Sequence, residues 1–270
     1  MPTLPVPGAT LHYETFGSAG PLILLIPGAN GTGNIFHTLA QHLAGRATVV
    51  CYDRRGYSRS HLVGKQDFER RLQTDADDAA RLIGHLSPDG TAAVFGSSSG
   101  AIVALELLVR HPGCVSTLVA HEPPSFSVLP EDLRAQATGL ISGIYETYRA
   151  HGPETAMELF TSSLSNGQEG ELMRRAMDVT RHDTRANCLF WFEFELRQYT
   201  RATVYLEALA GGKEKLVLVA GEESLGPGLG PVGIIAKEVG REVKRVVGGH
   251  LGYVTAPEAF AEVLFELLGL

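Results

Sequence analysis

At 270 residues, with 44% hydrophobic and 20% charged side chains, the chain is long enough for one large core with an inserted subdomain and is not of disordered composition. A net charge of -7, with no Lys/Arg cluster as a local exception, excludes a nucleic-acid surface, because such a field repels phosphate. No run of about 18 apolar residues occurs, and the opening MPTLPVPGAT lacks a basic stretch followed by an apolar one, so no membrane span or secretory leader is expected and the chain reads as cytoplasmic.

Strand and helix patterns alternate up to residue 120 and resume near residue 214. Residues 10–16 alternate as an antiparallel edge strand does, whereas 21–26, 47–52, 91–95 and 115–120 are almost continuously apolar, the pattern of strands covered on both faces. Helices are expected at 36–44, 68–86 and 99–111. From 129 to 209 no strand candidate occurs, only amphipathic stretches at 131–150, 153–164, 170–179 and 187–199. Strands return at 215–220 and 242–247, with a helix between them and a last helix at 257–268. The expected class is α/β, a mostly parallel central sheet with helices on both faces, with 1–124 and 210–270 as the core and 125–209 as a helical cap. Cys51, Cys114 and Cys188, odd in number and widely spaced, read as free thiols in a reducing compartment.

The segment TAAVFGSSSGAIVALELLVRHP, residues 91–112, carries the sharpest signal. Alone, GSSSG would read as a flexible linker, but Ala92 to Phe95 before it form a strand without a polar face, and Ile102, Leu105, Leu107 and Leu108 after it mark a packed helix. The glycines therefore occupy a tight strand-to-helix turn, and the G-x-S-x-G register selects Ser98 as a nucleophile at the positive end of the following helix. His250 differs from the other histidines because it follows Gly248 and Gly249 after the last strand, where a loop can carry an imidazole over the sheet edge. His121, also at a strand end, is followed by Pro123 and Pro124 and reads as the start of the cap connection.

Taken in order, IPGANGTG after residue 26, YDRRGYSRS at 52–60, GSSSG at 96–100, AGEES at 220–224 and GGHLGY at 248–253 make the chain similar to the α/β-hydrolase fold superfamily, in a serine hydrolase form with a helical cap. The resemblance covers nearly the whole chain and implies a nucleophile, acid, histidine triad under a cap that roofs the pocket. It places the acid after the penultimate strand, at Glu223 when Ala220 is aligned with the glycine that starts this turn; with Gly221 there instead, the position falls on Ser224, which cannot hold a charge. Glu122, at the end of the preceding strand, and Glu222 are the alternatives, in that order after Glu223. The same resemblance assigns the oxyanion amides to Ala29, in Pro27-Gly28-Ala29, and to Ser99, and makes Arg54 and Arg55 structural ties of their loop.

GANGTGN fails both nucleotide-binding patterns, since Asn34 stands where a phosphate loop needs lysine and Phe36 occupies the last glycine position of G-x-G-x-x-G. No metal-ligand spacing occurs, so neither metal nor organic cofactor is expected. In the cap, Phe190, Trp191, Phe192 and Phe194 spread around a helix; Trp191, Phe190 and Phe194 are expected to line the substrate pocket, with Tyr145, Met157, Phe160 and Met173 as further candidates, while packing between cap and core is the plainer reading of such a stripe. The expected function is cofactor-free hydrolysis of a small to medium apolar ester or lactone through Ser98, His250 and Glu223. The alternatives are another reaction hosted by the same triad (C–C bond hydrolysis, cyanohydrin cleavage, perhydrolysis) or a slow-turnover ligand receptor on the same fold.

Overall fold

The computed structural model describes residues 2–164, 167–224 and 230–270. Among these, nine strands form one sheet: β1 (Thr3–Val6), β2 (Ala9–Phe16), β3 (Leu22–Ile26), β4 (Thr48–Tyr52), β5 (His61–Leu62), β6 (Ala92–Ser97), β7 (Val115–His121), β8 (Leu216–Gly221) and β9 (Val243–Val246). Their order is β1-β2-β4-β3-β6-β7-β8-β9, with β5 on β2; pairing is antiparallel around β2 and parallel from β4 to β9. The apolar runs become the central strands, with β3, β6 and β8 buried along their whole length, because helices cover both faces there. Two strands were not predicted. β1 contains Pro5 and β5 has two residues, so both are edge pairings held by β2 rather than by an apolar pattern of their own.

The helices outside the 125–209 stretch are α1 (His37–Leu43), α2 (Arg71–Leu86) and α3 (Ser99–Arg110), and, after that stretch, α10 (Gly230–Val239), α11 (Gly252–Thr255) and α12 (Pro257–Leu268). Between β7 and β8 lie α4 (Glu131–His151), α5 (Pro153–Leu164), α6 (Gly167–Ala176), α7 (His182–Phe194), α8 (Leu196–Arg201) and α9 (Leu206–Gly211), with no strand among the described residues of this stretch. α9 straddles the boundary expected at 209/210. The helix expected over 187–199 is two helices, broken at Glu195 (φ -129°, ψ -53°). One apolar cluster joins Ile144, Met157, Trp191 and Phe192 of the helices between β7 and β8 to residues such as Phe36, Tyr57 and Phe95, so this helical stretch shares its interior with one face of the sheet.

Parallel register decides where chemistry can gather. Ile26 lies beside Gly96, Ser97 beside His121, and His121 beside Val219, so the loops leaving β3, β6, β7 and β8 emerge together at the carboxyl edge.

Candidate active site

Ser98 caps α3 with φ 57° and ψ -128°, a left-handed conformation that costs a non-glycine residue steric strain and persists only where surrounding contacts impose it. Its amide donates to His121 O at 2.9 Å, which ties the turn to β7. The turn also demands close approach. A Cβ on Gly100 would lie 2.2 Å from Ile26 O, and one on Gly28 would lie 2.9 Å from Ser98 Cβ, so both positions must be glycine for β3 and its loop to reach the elbow.

His250 lies in the turn after β9 and its Nδ1 is 2.6 Å from Glu122 Oε2. Glu122 has φ 48°, and its amide donates to Val219 O at 3.1 Å, which turns the chain off β7 and carries the carboxylate toward the β8 loop. There Oε1 accepts from the Gly221 amide at 2.9 Å and from the Ser224 hydroxyl. Burial by itself raises the Glu122 pKa, but the hydrogen bond and charge of His250, with His121 and Ser224, outweigh it and bring the group to about 2. For His250, burial lowers the pKa, yet the hydrogen bond and charge of Glu122, aided by Glu169, leave it above the ordinary 6.5. Glu169, on cap helix α6, also accepts from the amides on either side of the imidazole, Gly249 N at 3.1 Å and Leu251 N at 3.0 Å.

The structure thus brings Glu122, not Glu223, to His250. Glu222 and Glu223 follow β8 in a turn in which their amides donate to Val246 O and Gly248 O, at 2.8 and 2.9 Å, and their side chains are exposed. The sequence register that starts the turn at Gly221 is the one that fits, because Ser224 then faces the Glu122 carboxylate as a hydroxyl donor. His121, beside Glu122, is fully buried, bonds Ser97 Oγ through Nδ1 at 2.9 Å and stacks on His250 with ring centroids 5.8 Å apart. Burial, ahead of the opposing charge of Glu122, pushes its pKa down to about 4, which favours the neutral ring behind His250.

Ala29 and Ser98 line a cavity of about 290 Å³ together with His250. Its other walls are mixed, with Ile35, Phe160, Met173 and Met177 on the apolar side and Arg175, Arg181 and Asp183 among the charged groups. Among the described residues, neither the Ala29 nor the Ser99 amide donates a hydrogen bond, and Ser99 begins α3, so its N–H is one of the free helix-terminal donors. Asn30 (φ 70°) spans the cavity edge by donating from Nδ2 to Ala176 O at 2.8 Å.

The expected pocket aromatics are elsewhere. Trp191 is 3% exposed and packs on Phe160 and Phe192, with ring centroids at 4.7 and 5.0 Å. Phe194 stacks on Phe68 at 3.9 Å, and Phe190 meets Tyr57 and lies under the Arg71 guanidinium. None of the three lines the cavity that holds Ser98; large rings next to the apolar cap-to-core seam bury more area there, and Phe160 and Met173 reach the cavity instead. Beside the site, Asp53 accepts from Thr32 Oγ1 and the Gly33 amide, both at 2.9 Å, and Arg55 forms a two-pronged pair with Asp78 at 2.7 and 2.8 Å, so this loop is held by buried ion pairs. Among the described residues no group of three or more His, Cys, Asp or Glu side chains is placed to hold a metal ion, and no helix is long and apolar enough to cross a membrane.

A sheet with this order, a serine at a strained strand-to-helix turn and a histidine on the last loop define the α/β-hydrolase class. Residues 21–187 match the family described as alpha/beta hydrolase fold, and the chain belongs to it. It is 33% identical to the Uncharacterized hydrolase YraK of Bacillus subtilis (strain 168), an alignment covering 98% of this chain and 95% of that one. An esterase from Exiguobacterium antarcticum has the same fold, with a TM-score of 0.76 at 17% identity over 98% of this chain and 97% of that one. So has the enol-lactonase from Burkholderia xenovorans LB400, at 0.69 and 16% identity over the whole of both chains.

Proposed function

We propose that the protein is a serine hydrolase of small to medium apolar carboxylic esters or lactones, acting through Ser98, His250 and Glu122. The observation that carries this reading is that His250, bonded to Glu122, lines the same cavity as a serine held at φ 57°. Ser98 Oγ attacks the acyl carbonyl while His250 takes its proton, and Glu122 holds Nδ1–H and stabilises the imidazolium. The amides of Ala29 and Ser99 receive the charge that develops on the carbonyl oxygen, at the positive end of α3. Collapse expels the alkoxide, which leaves with the proton returned by His250, and water activated by the same imidazole then releases the acid from Ser98. The Ile35, Phe160, Met173 and Met177 walls suit an apolar acyl group, Arg175, Arg181 and Asp183 line the same cavity, and about 290 Å³ favours a modest substrate. An esterase and an enol-lactonase among the proteins of similar fold accord with this chemistry.

A panel of p-nitrophenyl esters and small lactones, run beside fluorophosphonate labelling and peptide mass spectrometry, tests the proposal. Turnover of short and medium acyl chains, with the label on Ser98 and absent from Ser98→Ala, is the expected result. Labelling that survives in Ser98→Ala and vanishes in Ser97→Ala or Ser99→Ala would move the nucleophile.

A further inference from the structure

Glu195 is a cap residue whose carboxylate is fully buried in the core. The break between α7 and α8 falls on it, and the carboxylate so freed accepts from Arg54 Nη2 at 2.7 Å, Arg54 Nη1 at 2.9 Å, Ser99 Oγ at 2.7 Å and the Tyr57 hydroxyl. Arg54, equally buried, reaches on to the loop after β3: its Nε donates to Pro27 O at 2.9 Å and its Nη2 to Gly28 O at 2.8 Å. The carbonyl of Gly28 and the amide of Ala29 belong to one planar trans peptide unit, so a guanidinium that fixes the C=O also fixes the opposite direction, in which the N–H points. The second amide belongs to Ser99, whose own side chain is bound to the same carboxylate. Asp75 accepts from Arg54 Nη1 and from the Tyr199 hydroxyl of α8, both at 2.8 Å, and a second buried guanidinium, Arg71, completes the cluster 4.0 Å from Glu195 Oε2.

We propose that Glu195 is a positioning residue for the oxyanion site: through Arg54 it aims the Ala29 amide, and directly it steadies Ser99, so that seating the cap completes the anion-stabilising geometry. The inference rests on the acyl-transfer reading above. A buried guanidinium needs its charge balanced as well as its hydrogens placed, and the cap supplies one of its two carboxylates. Without that carboxylate Arg54 is drawn toward Asp75, and the grip on the Pro27 and Gly28 carbonyls loosens. Donors that meet only the developing oxyanion act on the transition state, so their misalignment lowers kcat and leaves KM little changed.

The test compares Glu195→Gln, Arg54→Lys and Phe194→Ala on p-nitrophenyl butyrate, with thermal midpoints measured alongside. Glu195→Gln is expected to lower kcat roughly 10–100-fold with KM nearly constant, and to weaken an alkyl trifluoromethyl ketone, whose tetrahedral adduct needs the same amides, by a similar factor. Arg54→Lys keeps the buried charge but cannot span both carbonyls and both carboxylates, so it is expected to give the same kcat loss. Phe194→Ala removes the stack on Phe68 but none of the cluster's hydrogen bonds; it is expected to lower the midpoint while keeping kcat within about twofold below the transition. Full kcat and ketone affinity in Glu195→Gln or in Arg54→Lys overturns the proposal, as does an equal kcat loss in Phe194→Ala. If the unaltered protein cleaves no ester and takes no fluorophosphonate at Ser98, the acyl-transfer reading falls and this inference with it; an active protein indifferent to Glu195→Gln removes this inference alone.

Discussion

A carboxylate that accepts from His250 Nδ1, the Gly221 amide and the Ser224 hydroxyl stays charged well into acid and holds the imidazole in one tautomer. Glu122→Gln should therefore reduce kcat by roughly 10³–10⁴-fold, because the amide can present a donor to the wrong ring nitrogen, whereas Glu223→Gln should stay within about twofold. The reverse ranking in steady-state kinetics would return the acid to the turn after β8. The same pair sets the pH dependence. The raised His250 pKa puts the acidic limb of kcat/KM above pH 6.5, and removing the Glu122 charge should move that limb downward; a limb unchanged in Glu122→Gln contradicts the coupling. For stability the sign is opposite on the acid side. The Glu122 pKa lies below its ordinary 4.5, so its contribution is present above about that pH and is lost as pH falls toward 2. The His250 contribution is present below 6.5 and is lost as pH rises through its elevated pKa.

Among the elements, α7 shows how a helix can be rich in aromatics and still contribute little to the cavity. Trp191 faces inward onto Phe160, and Phe190 and Phe194 face Tyr57 and Phe68, so the helix is a wedge between cap and core. Trp191→Ala should cost ~3–5 kcal/mol of stability in denaturant titrations, the range for deleting a large buried ring, with acyl-chain preference nearly unchanged. Phe160→Ala should instead raise kcat/KM for longer acyl chains relative to shorter ones, since this ring lines the cavity. An altered chain-length preference in Trp191→Ala with no loss of stability would reverse this assignment. The element α3 is constrained in another way: both glycines that approach its start do so against backbone or Ser98 itself, which leaves little room for adjustment.

On the scale of the whole molecule, cap and core share one apolar interior and the buried ion pairs of Arg54, Asp75 and Glu195, so they have reason to unfold together. The single tryptophan makes this measurable: Trp191 fluorescence reports on the cap, while far-UV circular dichroism reports on every helix and strand. Coincident urea transitions by the two probes are expected, and a fluorescence transition at lower urea would show a cap that melts by itself.

The amino-acid sequence by itself determined the elements whose cause is local. Apolar runs long enough only for strands, the turn chemistry of Gly96 to Gly100 and the helical periodicity between residues 129 and 209 led to the sheet, the elbow at Ser98 and the insertion, because each depends on neighbours within a few residues. His250 stands out for the same reason, as a histidine that follows Gly248 and Gly249 past the last strand. The choice among carboxylates was not local. Glu122 and Glu223 both follow strands, and only the register of β7 against β8, with the positive φ at Glu122, determines which side chain meets an imidazole 128 residues away. The same holds for Glu195, which lies in an unbroken helical pattern. Its burial depends on Arg54, 141 residues earlier, whose buried guanidinium is shared between Asp75 and this carboxylate at the break between two helices.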